Sequence, residues 1–292
     1  MKGIFSALIN SFNSDGSPNT EALKRIIDYN ITVCNIDGLY VNGSTGENFN
    51  MPHEYKKTIF KSAAESNAGR VTLIAQIGCN VVEEVCELAD IAAGCGYNAV
   101  SAVTPFYFQY SAKEIFAYYF NIADRSKLPL IIYNIPVRTG VVLTEKDFKT
   151  LFSHDNIAGV KFTSNDFFLL ERVRSQFPDK ILYSGFDEML LSAAVLGTDG
   201  AIGSTYNIAG HWAKEILNEA QRGDLQKARL GQRKLNHVVS GMLNTGALLS
   251  VIKAMLDMEG IPCGNCRPPM APITDEIKSA AAELLDYIKK NS

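Results

Sequence analysis

The chain has 292 residues, of which 47% are hydrophobic and 20% charged, and its formal net charge is -3. This is the balance of an ordinary globular protein, and α/β barrels often reach this length as one domain. A slightly negative charge gives no general attraction to nucleic acid or to an anionic membrane surface, which excludes both as general partners. It does not exclude a small anionic substrate, which needs only a local site.

The first 17 residues, MKGIFSALINSFNSDGS, contain one lysine and a short apolar run interrupted by Asn10 and Asn13. This segment is too short and too polar for a secretory signal, and no stretch of the sequence is long enough to cross a bilayer. We therefore expect a cytoplasmic protein.

Apolar, β-branched runs of strand length recur along the first two-thirds of the chain. Several are apolar on both faces rather than alternating, which is typical of parallel strands covered on either side. The predicted strands are 4–9, 39–42, 72–77, 99–104, 130–135, 158–162, 181–184 and 201–204.

Helical patterns lie between these runs. In 83–95 the apolar residues fall at i, i+3, i+4 and i+7, which makes one stripe, and 115–122 repeats that spacing. Thr144-Glu-Lys-Asp147 matches a capping box that opens a helix after the fifth strand, and a helix over 188–196 ends before Gly197.

About eight strand–helix units at intervals of roughly 20 to 35 residues predict an α/β fold, a (β/α)₈ TIM barrel rather than an open doubly wound sheet. No Gly-x-Gly-x-x-Gly follows the first strand, so a dinucleotide fold is not indicated. Beyond Tyr206 the sequence predicts only helices, at 211–222, 224–243, 247–259 and 275–290. We therefore expect a single domain over 1–292, with the barrel in 1–222 and a C-terminal helical extension in 223–292 that packs on the barrel.

The six cysteines and four histidines show no complete metal site. Cys263 and Cys266 have zinc-knuckle spacing, but no second pair and no nearby histidines accompany them. Most of the cysteines stand in apolar segments and are typical of reduced core residues. A bound metal is therefore not expected.

Lys161 stands inside the apolar run 158–162 and is followed by the hydroxyls of Thr163 and Ser164. Desolvating an unpaired ammonium group in a buried strand is costly. Burial lowers the pKa of a lysine, and the neutral amine is a nucleophile that condenses with carbonyl groups. The alternative is that Lys161 ends a short strand and extends its amine to water, as most lysines do.

In a barrel of this kind the catalytic groups lie at the C-terminal ends of the strands. Here those ends carry hydroxyl, phenol and carboxyl groups, which suit a hydroxylated substrate with a carboxylate. In chain order they are Gly43-Ser44-Thr45-Gly46-Glu47, Tyr107, Tyr133, Lys161 with Thr163, Gly185 with Asp187 and Glu188, and Ser204.

Most of these residues also have a purely structural interpretation. The loop 43–47 either cradles a carboxylate or phosphate or is an ordinary strand-to-helix turn. Tyr133 is either a core tyrosine or a proton carrier. Asp187 and Glu188 are either substrate ligands or acids favoured by a helix dipole. Tyr107 lies in an aromatic cluster, which is more typical of packing at a subunit contact.

Three stretches, in their order and separations, resemble the pyruvate-dependent class I aldolases, the family that contains N-acetylneuraminate lyase and dihydrodipicolinate synthase. They are Gly43-Ser-Thr-Gly-Glu47, Tyr133-Asn-Ile-Pro136 and Gly159-Val-Lys161. The resemblance covers essentially the whole chain. Within the family, the stretches that begin at Lys161, Gly185 and Gly203 are similar to the N-acetylneuraminate lyase branch.

The resemblance implies a role for each candidate. Lys161 would form a Schiff base with the keto acid, and Tyr133 would donate and accept protons. Ser44 and Thr45 would hold the pyruvate carboxylate, and Tyr107 would complete a hydroxyl relay in a neighbouring subunit's site. The residues that would bind the sugar portion are Thr163, Gly185, Asp187, Glu188 and Ser204. The family also implies a homotetramer, with no cofactor beyond the covalent lysine imine.

The reaction implied by the resemblance is the reversible cleavage of N-acetylneuraminate to N-acetylmannosamine and pyruvate. One stretch departs from that branch: Val137-Arg138-Thr139-Gly140 is similar to the synthase branch, where an arginine meets a carboxylate of the second substrate. A dihydrodipicolinate synthase or another keto-acid sugar aldolase is therefore the alternative. A barrel that binds a sugar acid without turnover is a rival from a different class. A phosphate-binding isomerase is disfavoured, because Asp187 and Glu188 would repel a phosphate.

Overall fold

The apolar runs of the sequence form a closed barrel of eight parallel strands, ordered β1 to β8 around the ring, in a computed structural model that describes residues 1–292. The predicted (β/α)₈ barrel is therefore confirmed, with strand ends that differ from the predicted ones by at most two residues. The strands are β1 Gly3–Ala7, β2 Gly38–Val41, β3 Thr72–Gln76, β4 Ala99–Val103, β5 Leu130–Asn134, β6 Ile157–Phe162, β7 Ile181–Ser184 and β8 Gly200–Gly203.

Twelve helices accompany the strands. The predicted capping box is present, because the Thr144 hydroxyl accepts the Asp147 N–H while the Asp147 carboxylate accepts the Thr144 N–H at 2.8 Å. The helices of the barrel are α1 Thr20–Thr32, α2 His53–Asn67, α3 Val82–Gly94, α4 Ala112–Arg125, α5 Pro136–Thr139, α6 Glu145–Leu151, α7 Phe167–Gln176, α8 Leu190–Val195 and α9 Tyr206–Arg222. Those of the C-terminal extension are α10 Leu225–Asn244, α11 Leu248–Met258 and α12 Asp275–Asn291.

Helix α9 begins five residues earlier than predicted. The reason is the Asn207 side chain, which donates to the carbonyl of Ala7 at 2.7 Å and accepts the N–H of Ile9 at 3.1 Å. These bonds to residues at the end of β1 fix the first turn of α9, and Ala209 then has a non-helical backbone where the helix kinks. Neither bond is visible in the local sequence pattern.

The helix predicted over 188–196 was wrong in its first turn. The chain forms a 3₁₀ turn over Asp187–Met189 before α8 begins at Leu190. Gln232 of α10 explains this shape, because its amide donates to the carbonyl of Asp187 at 3.0 Å and accepts the N–H of Leu191 at 2.8 Å. A partner more than 40 residues away therefore decides the local conformation.

Two apolar clusters form the interior. Inside the barrel the inward side chains, among them Phe5, Tyr40, Tyr133 and Tyr183, make a cluster of 11 buried residues. The larger cluster of 69 residues lies between the strands and the helices, and it continues into α10, α11 and α12. No helix by itself has the length and apolar character needed to span a membrane; α10 and α11 reach both only as a pair, and that pair is bent by 113°.

Candidate active site

Lys161 points into the barrel from β6, where its neighbours Val160 and Phe162 belong to the outer core. The residue is 4% exposed, so the alternative in which its amine extends into bulk water does not hold. The amine makes no ion pair, and Nζ lies 4.1 Å from the ring centroid of Tyr133 and 4.5 Å from that of Tyr40. Aromatic faces attract a cation but supply no counter-charge. Lys161 is thus a buried amine with no carboxylate in ion-pair contact, an arrangement found at nucleophilic lysines.

The loop after β2 brings Ser44 and Thr45 to the same end of the barrel. Thr45 is buried, and its hydroxyl lies 2.6 Å from the hydroxyl of Ser204 in the loop after β8. Ser44 is exposed and lines a cavity of about 550 Å³ together with Ile135 and Arg138. The hydroxyl groups of Thr45 and Ser204 therefore meet at the mouth of the barrel, and Ser44 next to them lines the open cavity.

Thr163, just beyond the end of β6, carries a buried hydroxyl that has no hydrogen-bond partner in the chain. A side chain at position 185 would overlap this hydroxyl, so the glycine there is required by space. Buried polar atoms are nearly always hydrogen-bonded in native proteins, and an exception calls for an explanation. A hydroxylated ligand in the barrel mouth would supply the missing partner.

Asp187 is buried between the loops after β7 and β8. Its carboxylate accepts hydrogen bonds from the N–H and the hydroxyl of Thr205, at 2.8 and 2.6 Å. Burial raises the pKa of the Asp187 carboxyl to about 6, although the Thr205 hydrogen bonds favour the ionised form. Glu188 is half-buried and makes no ion pair. The two adjacent acids therefore differ: Asp187 ties two loops together, and Glu188 remains unpaired.

The raised pKa of Asp187 predicts a pH-dependent stability. In the unfolded chain this carboxyl ionises near its usual pKa of 3.8, and in the folded chain near 6, so its contribution is full below pH 3.8 and is lost as the pH rises through 6. We expect Asp187→Asn to gain stability relative to the wild type between pH 4 and 7.5, by up to about 3 kcal/mol. Urea unfolding of both proteins at several pH values measures this difference. A difference that is constant with pH would contradict the prediction.

Two candidates do not join the lysine within one chain. Tyr107 is 87% exposed, has a φ of +78°, and lines a separate cavity of about 450 Å³ with Phe108 and Val142. Arg138 is exposed at the cavity that Ser44 lines, and its guanidinium makes no ion pair. Tyr107 therefore reaches outward, while Arg138 stands at the approach to the barrel mouth.

The sequence reasoning missed several residues. Tyr40 could have been found, because the alternation along β2 sets its side chain on the barrel's inner face. Thr205 belongs to the stretch that begins at Gly203, but nothing in the sequence pairs it with Asp187, and Gln232 has no local signal. No group of three or more histidine, cysteine or acidic side chains is placed to hold a metal ion. All six cysteines are free, and Cys263 and Cys266 are both buried.

A parallel barrel with a buried, unpaired lysine among hydroxyls and a phenol defines a class of enzymes, the lyases that bind a substrate carbonyl as a lysine imine. The sequence profile described as the Dihydrodipicolinate synthetase family matches residues 1–288. The chain therefore belongs to the dihydrodipicolinate synthetase family.

Individual relatives are similar over nearly the full length. An N-acetylneuraminate lyase of Clostridium perfringens is 49% identical over 284 residues, covering 97% of this chain and 98% of that protein. The solved structure of the Fusobacterium nucleatum N-acetylneuraminate lyase with pyruvate has 47% identity and a TM-score of 0.94, covering 99% and 97% of the two chains. That of CdNal from Clostridium difficile with mannosamine has 45% identity and a TM-score of 0.96, covering 98% of each chain.

Proposed function

We propose that this protein is an N-acetylneuraminate lyase, which cleaves sialic acid reversibly to N-acetylmannosamine and pyruvate through an imine on Lys161. The observation that carries the proposal is the amine of Lys161, which is buried without an ion-pair partner and lies beside the ring of Tyr133. The similarity to N-acetylneuraminate lyases along almost the whole chain supports sialic acid as the substrate.

The mechanism follows from these groups. The keto group of the open-chain substrate condenses with Nζ of Lys161 and releases water. The protonated imine then accepts the electron pair of the C3–C4 bond, while Tyr133, assisted by the substrate's own carboxylate, removes the proton of the C4 hydroxyl. N-acetylmannosamine leaves, and the remaining enamine is protonated and hydrolysed to pyruvate. The proton that Tyr133 takes from the C4 hydroxyl balances the one added to the enamine, and the hydrolysis takes up one water in place of the one released on condensation.

The surrounding polar groups orient the substrate. Ser44 and Thr45 hold the carboxylate, so that the breaking bond aligns with the π-system of the imine. The sugar portion lies against the loops after β6, β7 and β8. The unpartnered hydroxyl of Thr163 and the unpaired carboxylate of Glu188 are suited to the sugar hydroxyls. Gly185, Asp187 and Ser204 complete this set.

The second candidate function is that of a dihydrodipicolinate synthase or another keto-acid sugar aldolase. The observation that favours it is the unpaired guanidinium of Arg138, which lines the same cavity as Ser44, because an arginine there would bind an acceptor aldehyde that carries a carboxylate. Assays of pyruvate with N-acetylmannosamine and with a carboxylated aldehyde separate the two functions.

The test combines trapping with turnover. Borohydride reduction in the presence of pyruvate should add one pyruvate-derived group per chain, located by mass spectrometry at Lys161. The same preparation should release pyruvate from N-acetylneuraminate. Binding of sialic acid without any covalent mass change would favour a sensor, and trapping without sialic acid cleavage would favour another aldolase.

We also propose a homotetramer in which Tyr107 acts in a neighbouring subunit's site. Its support is the outward position of Tyr107, which lines one cavity with the exposed apolar side chains of Phe108 and Val142. Light scattering should give the mass of four chains.

Mixed assemblies test this role of Tyr107. Lys161→Ala and Tyr107→Phe chains, each impaired alone, should regain activity when co-expressed with different tags and purified together, because some sites then combine an intact Lys161 with the partner's Tyr107. The activity should reach as much as half that of the wild type per mixed pair, whereas the simple average of the two variants would contradict the role in a neighbouring site.

A further inference from the structure

Glu47 closes the loop that carries Ser44 and Thr45, and it does so in the left-handed conformation with a φ of +61°. Its side chain is fully buried. One carboxylate oxygen accepts a hydrogen bond from Nζ of Lys253 at 2.6 Å, and the other accepts the backbone N–H of Arg267 at 2.6 Å. Both partners belong to the C-terminal extension, outside the barrel.

Lys253 is as deeply buried as its partner. It stands on α11 in an apolar run of buried residues, and its side chain is 0% exposed. Besides Glu47, its amine donates to the carbonyl of Asn265 at 3.0 Å and lies 4.8 Å from the ring centroid of Phe12. Lys253 is thus a second buried lysine, and unlike Lys161 it has an anion.

A gain in folding stability does not explain the presence of this ion pair. Taking two charges out of water costs about as much free energy as their attraction returns, so a buried pair is often no more stable than an apolar pair of equal size. Such a pair does restrict geometry, since neither Glu47 nor Lys253 has a second charged partner with which it could pair instead. What this pair restricts is the position of residue 47 relative to α11.

The position of residue 47 determines where the hydroxyls of Ser44 and Thr45 lie. The N–H of Glu47 donates to the carbonyl of Ser44 at 3.1 Å, and the N–H of Gly46 donates to the carbonyl of Gly43 at 3.0 Å. The segment from Gly43 to Glu47 is therefore one hydrogen-bonded turn. A second tie fixes its far side, because Nε of Arg267 donates to the carbonyl of Asn50 at 2.7 Å.

We propose that Lys253 is a positioning residue for the carboxylate of the keto acid. Through Glu47 it holds the turn in the conformation that presents Ser44 and Thr45 to the substrate, although it does not itself touch the substrate. This inference rests on the proposed function, which sets a keto-acid carboxylate on these two residues. The C-terminal extension then contributes to substrate binding, because it fixes the turn that carries Ser44 and Thr45.

The test is Lys253→Met, which keeps an unbranched side chain, one heavy atom shorter, and removes its charge. The pyruvate concentration that gives half-maximal borohydride trapping should rise about tenfold or more, since small displacements of positioning groups have large effects. Trapping at saturating pyruvate should still reach one group per chain on Lys161. Trapping with acetone, which has a carbonyl but no carboxylate, should keep its wild-type concentration dependence.

Two variants complete the design. Lys289→Met breaks the surface ion pair with Glu259, also in the C-terminal extension, and should leave pyruvate trapping unchanged. The double variant Glu47→Gln/Lys253→Met removes both buried charges, so it should fold even where the single variant does not. It should still need more pyruvate than the wild type, because a neutral pair does not hold the turn.

The outcomes separate the two proposals. Wild-type pyruvate dependence in folded Lys253→Met, or in the double variant, overturns the positioning role, even where the melting temperature has fallen. An equal loss with acetone and pyruvate overturns it as well, since the defect would then not concern the carboxylate. Failure of the wild type itself to trap pyruvate on Lys161 overturns the proposed function instead.

Discussion

Replacing Lys161 with alanine is expected to abolish the borohydride-trapped pyruvate adduct and to lower kcat/KM for N-acetylneuraminate by roughly 10⁴-fold or more, as for other covalent nucleophiles. The reason is that no second amine lies at the barrel mouth beside the phenol of Tyr133. Alanine leaves Ser44, Thr45 and Thr163 in place, so the variant should still bind the substrate weakly. Mass spectrometry of the reduced protein and a pyruvate-release assay measure the two effects.

Lys180 provides the matched control. Its amine donates to the carbonyl of Ile157 at 2.6 Å, and desolvation lowers the pKa of this lysine. It precedes β7, at the opposite end of the barrel from the hydroxyl-bearing loops. Lys180→Ala should therefore keep both the adduct and turnover, because a lowered pKa without the surrounding groups does not make a site. A Lys161→Ala protein that still forms the adduct on another lysine would refute the assignment.

Replacing Tyr133 with phenylalanine is expected to leave the imine intact and to lower kcat by about 10²- to 10⁴-fold, the range for loss of a proton-transfer group. The ring next to Lys161 is kept, so the packing around the amine changes little. Trapping of pyruvate should then proceed to completion while sialic acid is cleaved slowly. Single-turnover measurements separate imine formation from bond cleavage.

Tyr183→Phe is the control for this prediction. Tyr133 and Tyr183 flank Lys161 in register on β5 and β7. The Tyr183 hydroxyl, however, donates to the carbonyl of Met1 at 3.0 Å, at the N-terminal end of the barrel. Its removal should cost stability of about 1 kcal/mol and leave kcat near the wild-type value. Wild-type turnover by Tyr133→Phe would remove Tyr133 from the mechanism.

The strands could be predicted from the sequence because each is a short apolar run, and such a run indicates a buried strand without reference to distant residues. The barrel followed from their number and spacing. The start of α9 and the turn at Asp187 could not be predicted in this way. Each is decided by one side chain, Asn207 or Gln232, that binds a backbone group far along the chain.

In the candidate site, too, the features with a local signal could be predicted and those set by distant residues could not. A lysine within an apolar run is a local signal, and it led to Lys161. The same signal is present at Lys253, within the run 250–256 on α11, but the sequence analysis did not identify this lysine. The structure separates the two lysines by their partners: Lys253 has the buried carboxylate of Glu47 at 2.6 Å, and Lys161 has no carboxylate in contact.

Glu47 and Lys253 are separated by 206 residues. Contacts of such long range form late, because the entropy of closing the intervening chain has to be overcome first. During synthesis, the turn after β2 leaves the ribosome long before α11 is made. For most of translation, Glu47 in this turn therefore has no Lys253 to bind. A nascent chain that has not yet reached α11 therefore already contains Lys161 and the other residues of the barrel site, but it lacks the side chain that anchors the turn bearing Ser44 and Thr45.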